Sequence, residues 1–362
     1  MNDEKYLKKV FTIKQNIWLI ISGVVLLLFL IVLVIGNSLA NSQSAQTAAK
    51  RWGRDEDYSQ VSVFFSELEG AGEEIVKQLD YLIDTKLDDD SIMTKSLSAR
   101  RRVSSYATVG KVTASTKNVS KEYKAIGCGG DFFVFHPLEI IYGSYFDGDD
   151  LMQDHVILDR DAAWDLFGSS DVVGQIVEIN GIRHVVSGVV ERDEGRLNKL
   201  SGNNESTIYI SYESMAKNFE KTTVNCYEVL IPNPVKDYGL EVVKNAVSID
   251  ESRFEIVENS SRFKWTRIIK LVGAFGSRSM NSKTILYPYW ENMARGLEDI
   301  LTPICALGVV LISFVLINIC ILLIRMWTNR TVHFKDVKNF AEKGIEKYRA
   351  NVKKKKETGD FI

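Results

Sequence analysis

The sequence predicts an α+β extracytoplasmic domain between two transmembrane α-helices. Three observations predict it. Two charge-free apolar runs, Ile17 to Gly36 and Pro303 to Ile324, are each long enough to cross a hydrocarbon core of about 30 Å as a helix. Lys and Arg collect at both chain ends, beyond those runs. The stretch between them, residues 37–302, mixes strand-like alternation with helical spacing. The averages hide this: of 362 residues 45% are apolar and 25% charged, with a formal net charge of −2. They exclude a collagenous, disordered or disulfide-dense chain. They also offer no overall basic charge that would suggest nucleic acid as a partner.

The first run reads IWLIISGVVLLLFLIVLVIG and is apolar on every face. Small residues at Ser38-Leu39-Ala40 resemble a cleavage site, but the run exceeds the roughly 7–15 residues of a signal-peptide core, which favours a retained anchor. The second run, PICALGVVLISFVLINICILLI, has only Ser313 and Asn318 as polar side chains. Globular core helices rarely stay uncharged for so long. Lys5, Lys8, Lys9 and Lys14 precede the first run, and eleven basic against five acidic residues follow the second. Excess Lys and Arg mark the cytoplasmic side, so both termini are expected inside, as two crossings require. The segment left outside carries 30 basic and 40 acidic residues.

Along that outer segment, residues 42–58 are polar with helix-forming stretches, and a stalk continuing the first helix is expected. Gln60 to Ser66 reads as a strand and Glu73 to Leu87 as a helix, with apolar residues at 75, 76, 79, 82, 83 and 87. Val103 to Thr116 reads as one or two strands. The order returns with a strand at Val224 to Ile231, a turn at Pro232-Asn233-Pro234, a helix at Val235 to Val247 and a strand at Arg253 to Val257. Two β-α-β units therefore frame an insertion, residues 128–222. Strands are expected there at Phe132 to Phe135, His155 to Leu158, Gln175 to Ile179, His184 to Val190 and Thr207 to Ile210. Asn180-Gly181 between alternating runs signals a hairpin. Asp161 to Phe167 reads as a short helix capped by Asp159 or Asp161.

Catalytic constellations do not emerge. Gly110-Lys111 lacks the upstream glycine of a P-loop, so any ATPase belongs to another chain and no cofactor is expected in this one. No nucleophile elbow or zincin spacing occurs. His136, His155 and His184 lack metal-ligand spacing, and Asp147 to Asp150 lacks the ligand pattern of a calcium loop, so a metal site is not expected. The expectation is a non-enzyme.

The strands of the insertion carry a resemblance. The order is Gly143-Ser-Tyr-Phe146, Val156-Ile-Leu-Asp159, Ala162-Ala-Trp-Asp-Leu-Phe-Gly168, Val173-Gly-Gln-Ile176, Ile179-Asn-Gly181 and Val185-Val-Ser-Gly-Val-Val190. It resembles the extracytoplasmic core domain of MacB-type ABC transporter permeases, a superfamily that includes FtsX-like permeases. Trp52-Gly53 and Gln60-Val-Ser-Val-Phe-Phe65 fit the start of that domain, and Tyr287 to Arg295 resembles the segment entering the second membrane helix. The resemblance covers roughly residues 15–325. It implies a porter-like β-α-β platform (59–127 and 223–260) bearing an inserted β-rich lobe (128–222), with a juxtamembrane segment at 261–302. It also implies a bacterial cytoplasmic membrane, a separate ABC ATPase subunit, and a second permease chain or a homodimer partner. Its mode would be mechanotransmission, the relay of an ATPase cycle to the outside. Full permeases continue into an ATPase-docking loop and two more membrane helices. Here 38 residues follow Ile324, and Arg330 is followed by Thr331-Val-His-Phe334 without the expected acid. The expectation is a short form: a split permease, a truncated copy or an accessory subunit.

Three groups of residues stand out as candidates. Cys128 and Cys226 are a candidate disulfide, against free buried thiols. In the tail, Phe334, Val337, Ala341, Ile345, Tyr348 and Val352 define one apolar face of a basic helix ending in Lys353, Lys354, Lys355 and Lys356. That face either lies on an anionic leaflet, or touches a partner, or belongs to a solvated tail. Trp265, Tyr287, Tyr289 and Trp290 suit the water–lipid interface, or pack against the first helix's extension. The rival function is a stand-alone two-span receptor, adhesion or accessory protein that reuses the outer domain without an ATPase.

Overall fold

The computed structural model describes residues 13–53, 57–66, 71–94, 100–147, 152–218, 222–274 and 285–357. The chain divides into two compact units. One comprises the chain up to Ile35 and from Ala306 onward; the other is Gly36–Cys305.

The first unit is made of two apolar helices. Helix α1 (Ile13–Asn41) and the apolar part of the last helix, α10 (Tyr289–Glu357), are by length and composition able to cross a membrane. Their large apolar side chains, such as Ile20, Leu27, Val310 and Leu316, face outward. A soluble fold would bury such side chains, whereas lipid accepts them.

Among the described residues, the second unit is built on ten strands. In chain order its elements are α2 (Ala48–Trp52), β1 (Tyr58–Phe65), α3 (Glu73–Asp89), β2 (Val103–Ser115), β3 (Ser120–Gly130), α4 (Phe132–Phe135), β4 (Glu139–Gly143) and β5 (His155–Asp159). Then follow α5 (Arg160–Phe167), β6 (Ile176–Ile179), β7 (Ile182–Glu191), α6 (Arg196–Leu200), β8 (Thr207–Ser211) and α7 (Tyr212–Asn218). β9 (Cys226–Pro232), α8 (Tyr238–Ala246), β10 (Phe254–Glu258) and α9 (Trp265–Ala274) complete it, before α10.

The strand order is β10-β1-β9-β2-β3-β8-β5-β7-β4, with β6 bonded to both β2 and β7. In the first four strands the two β-α-β units interleave: β9 lies between β1 and β2, and β1 between β9 and β10, all antiparallel. This is a split β-α-β, ferredoxin-like arrangement. Helices α3 and α8 cover one face through Val76, Leu79, Ile83, Val242 and Val243, packed on Val61, Val63, Tyr227, Val229 and Ile231. Beyond β2 the strands curl. The β6–β7 hairpin returns to the end of β2, at Ala114 and Ser115, so that β2, β3, β8, β5, β7 and β6 close into a six-stranded barrel. Closure removes exposed edges and encloses Val112, Ala125, Leu158, Val177, Val186 and Ile210. Strands β2 and β3 serve both parts, and the expected division at residue 128 falls inside β3.

Local chemistry explains several elements. Asn180 and Gly181 have φ of 49° and 86°, the left-handed pair that a two-residue hairpin turn needs. Asp159, rather than Asp161, caps α5 by accepting from the Ala162 amide at 2.7 Å. Gly168 ends that helix at φ 71°.

Two expectations are corrected. Phe132 to Phe135 form a short helix rather than a strand. Phe132 and Phe135, three apart, are both buried, a spacing that four apolar residues leave undecided between the two states. The described residues of 42–58 do not continue α1 as a stalk. The chain turns after Asn41, Ala48 and Ala49 bury against Val103, Phe135 and Leu230, and the Gln46 side chain donates to the Trp290 carbonyl at 3.2 Å. Strand β3 had no recognisable pattern, because its charged start and glycine-rich end lack alternation; an eleven-residue pairing with β2 defines it.

Candidate functional site at the root of the last helix

The sequence EN-MARGLED places Glu291, Arg295 and Glu298 four and three residues apart, on one helical face. Such a charged face usually points to water. Here it points inward. Trp290, Glu291, Ala294, Leu297, Leu301 and Cys305 of α10 are all buried, with Glu291 only 1% exposed. The first four turns of α10 are thus part of the outer unit's core, and the charge-free run starts at Pro303, inside the same helix.

Arg262 balances the carboxylates. It is 4% exposed. Its Nη1 and Nη2 donate to the two Glu291 oxygens at 2.6 and 2.9 Å, and its Nε donates to Glu298 at 2.8 Å. Arg295 donates from Nε to Glu291 at 2.7 Å and from Nη2 to Glu255 of β10. The Tyr287 hydroxyl also donates to Glu255, and the Arg295 guanidinium lies 4.0 Å from the Tyr287 ring centre. Burial alone would lower the Arg262 pKa. The charges of Glu291 and Glu298 and their hydrogen bonds outweigh it, and the guanidinium is held even more firmly protonated than usual. Burial, with the bond to Glu255, pushes the Tyr287 phenol up.

The network continues into the sheet. Arg262 Nη1 donates to Asn259 Oδ1 at 3.2 Å, Asn259 Nδ2 to Ser62 Oγ at 2.8 Å, and Ser62 Oγ to Glu228 Oε1 at 2.7 Å. The second Glu228 oxygen pairs with His136 Nε2, and the His136 ring lies 4.2 Å from that of Trp290. A continuous chain of buried polar groups therefore runs from α4 across β9 and β1 to the first turns of α10. Paired and hydrogen-bonded in this way, buried charges are held in one geometry, and removal of one member leaves its partner uncompensated.

The sequence-derived candidates fall as follows. Cys128 and Cys226 are free thiols. Both are register partners of Ala107, from opposite sides, so β2 lies between them. Two strand spacings amount to about 10 Å, beyond the roughly 7 Å a disulfide spans, so the pairing is corrected. Burial pushes both thiols well above their ordinary range. Tyr287 and Trp290 do not sit at a lipid interface. With Tyr289 packed beside them, they join Phe64, Phe132, Ile157 and Tyr209 in the sheet-side core. Trp265 alone lies beside the apolar runs, its ring packed with Gly36, Leu301 and Ile304. The tail is helical through Glu357 and Ile345 is exposed. The side chains of Phe334, Val337, Tyr348, Lys353, Lys354, Lys355 and Lys356 lie outside the described residues, as do those of Lys5 to Lys14, residues 148–151 and residues 275–284.

His136 is the member of the polar chain that the sequence singled out only as a residue without metal spacing. Its partner Glu228, and Ser62 that donates to Glu228, lie in segments that read as ordinary strands. Glu291, Arg295 and Glu298 carried a signal in their helical spacing, but neither the burial of that face nor its partner Arg262 could be read from the chain.

The geometry stands beside four similarities. A family model described as the MacB-like periplasmic core domain matches residues 18–256. A curated relative, the macrolide export ATP-binding/permease protein MacB of Chromobacterium violaceum, is 30% identical over 103 residues, 28% of this chain; the chain spans 15% of that protein's length. Among solved structures, the periplasmic region of MacB from Actinobacillus actinomycetemcomitans is 16% identical, covering 61% of this chain and 94% of that one, with a TM-score of 0.40. The extracellular domain of the noncanonic ABC-type transporter YknZ from Gram-positive bacteria is 15% identical, covering 55% and 99%, with a TM-score of 0.37. With its mixed α+β sheet flanked by two apolar helices and two-thirds of its length under the family model, the chain belongs to the MacB-like periplasmic core domain family of ABC transporter permeases.

Proposed function

We infer that the chain is a non-catalytic, permease-like membrane subunit of a MacB/FtsX-type ABC system, relaying ATPase-driven motion to its extracytoplasmic domain. The observation that carries this is helix α10. It is one helix, from the salt-bridged core of the outer domain at Tyr289 through the charge-free run to Glu357. A push or rotation applied to its far end would reach the sheet through Arg262, Glu291 and Glu298 rather than dissipate in a flexible linker. On this reading both termini are cytoplasmic in a bacterial cell membrane, consistent with the basic flanks. ATP would be held by a separate subunit, and this chain would need no cofactor of its own. A second permease chain or a second copy would complete the membrane part.

The test is recovery of the tagged full chain from native membranes in mild detergent. An ABC ATPase and a second permease chain, or a second copy, should co-purify. The ATPase rate of that assembly should change several-fold when Glu291→Gln loosens the α10 root, with assembly intact. Recovery of the chain without an ATPase, still binding an outer ligand at full strength, would overturn the relay and leave a stand-alone receptor.

A further inference from the structure

Helix α9 is the least expected part of the outer unit. Its sequence, WTRIIKLVGA, carries Arg267 and Lys270 and no acid, and Lys264 precedes it, although the outer segment as a whole is acidic. At 100° per residue, Leu271, Ile268, Val272, Trp265 and Ile269 form an apolar sector about 160° wide. The protein covers only part of it. Ile268 is buried and Leu271 half-buried against Leu297, Leu301 and Cys305 of α10 and against Leu39 and Ala40. Ile269 and Val272, three apart on the other flank, are 45% and 44% exposed. Arg267 fixes the helix to the sheet by donating to the Glu258 carbonyl at 3.2 Å and pairing with its carboxylate at 3.2 Å.

The place of this helix decides what its open flank meets. Trp265 and Ile268 contact Gly36, Leu301, Ile304 and Cys305. Gly36 is the last residue of the first charge-free run, and Pro303 opens the second. Within the outer unit, helix α9 therefore packs on the end of the first charge-free run and the start of the second, and its apolar flank at Ile269 and Val272 stays uncovered. We propose that α9 is an in-plane membrane helix that lays Ile269 and Val272 into the headgroup–acyl boundary of the outer leaflet, with Lys264 and Lys270 set against anionic lipid headgroups. Lys270 falls on the polar face opposite the apolar sector and Lys264 at the helix entry; an apolar face backed by a basic polar face is the composition that lies on such a boundary, with its apolar face about 5–10 Å deep. The proposal rests on the two apolar runs being membrane spans and is independent of any ATPase. It gives the outer unit a second support on the bilayer, beside the roots of α1 and α10.

The experiment uses the full chain in nanodiscs of phosphatidylcholine, alone or mixed with phosphatidylglycerol. Cys320, the exposed native thiol, is replaced by alanine. Nitroxide labels are placed by Ile269→Cys and Val272→Cys, with Leu28→Cys in the first run and Tyr81→Cys on exposed α3 as references. The ratio of oxygen to nickel-chelate accessibility reports depth. At Ile269 and Val272 it should exceed the Tyr81 value several-fold and approach that at Leu28. Lys264→Glu with Lys270→Glu should lower it at Ile269 in the anionic discs, with little change in phosphatidylcholine alone. A lipid-like ratio at Leu28 with water-like ratios at Ile269 and Val272 would overturn the proposal and leave the spans intact. Shielding of both sites from oxygen and nickel alike would overturn it in favour of a protein partner on α9. Insensitivity to the lysine changes in anionic discs would overturn the headgroup contact. A water-like ratio at Leu28 would remove the membrane reading itself.

Discussion

Strands β1 and β9 are buried on both faces, yet the two faces have opposite chemistry. Toward α3 and α8 they present Val61, Val63, Phe65, Tyr227, Val229 and Ile231. Toward α2, α4 and α10 they present Gln60, Ser62, Phe64, Cys226 and Glu228. The first face is held by non-directional burial, which tolerates small shifts. The second is held by hydrogen bonds and ion pairs of fixed length and angle, which do not. Polar packing lies on the side where the last helix enters. The difference teaches that alignment is confined to one side of this domain: both faces contribute to stability, but only the directional bonds of the second fix the position of α10.

Substitutions on the two faces should separate these roles. The largest effect is expected from Glu291→Ala, which leaves the Arg262 and Arg295 guanidiniums facing each other in a buried site. The loss should be about 4 kcal/mol, within the range for breaking a buried pair, read as the denaturant unfolding midpoint of the full chain in detergent. A loss under about 1 kcal/mol would mean that water already reaches the network. On the opposite face Leu79→Ala should cost about 3 kcal/mol by opening a cavity. It should leave the coupling of α10 untouched, seen as unchanged proteolysis at the α10 root. Glu228→Gln is expected to cost less, about 2 kcal/mol, because the amide still meets Ser62 and only the bond to His136 is lost. If it equalled Glu291→Ala, the chain from His136 to Arg262 would act as one unit rather than a graded series.

The smallest effect concerns pH and a polar residue outside both faces. His184 of β7 is buried, with ring nitrogens facing the Ile182 carbonyl at 2.9 Å and the Ser214 hydroxyl at 2.6 Å. The charges of Asp154 and Lys217 act on it in opposite directions. Burial lowers its pKa below the ordinary 6.5. A depressed histidine contributes stability above the unfolded pKa and loses it as pH falls through the folded value. The wild-type chain should therefore weaken on acidification below pH 6.5, while His184→Asn should show a flatter profile across that window. An identical slope in both would place the acid sensitivity elsewhere.

Much of the fold was legible. Helix α3 followed from apolar residues at helical spacing, the β6–β7 turn from Asn180-Gly181, and α5 from its aspartate cap. These are local signals, set by backbone sterics and by side chains within a few positions. The polar network was not legible, since Glu291, Arg295 and Glu298 look the same on a solvated face and on a buried one. Nor was the fate of Tyr287 and Trp290. Aromatic residues just outside an apolar run fit a lipid interface equally well, and only Phe64 of β1 with Phe132 and His136 at α4, brought from far along the chain, show that these two belong to the core.

The sequence by itself determined the two apolar runs, the basic ends, the acidic middle and the two β-α-β units, because length, charge and periodicity are properties of neighbouring residues. Only the tertiary structure decided that the units interleave, that six strands close into a barrel, and that Cys128 and Cys226 stand two strands apart. It also decided that the charged root of α10 is buried. Each of these depends on which distant segments meet, and pairing and desolvation over more than a hundred residues leave no local trace in the chain.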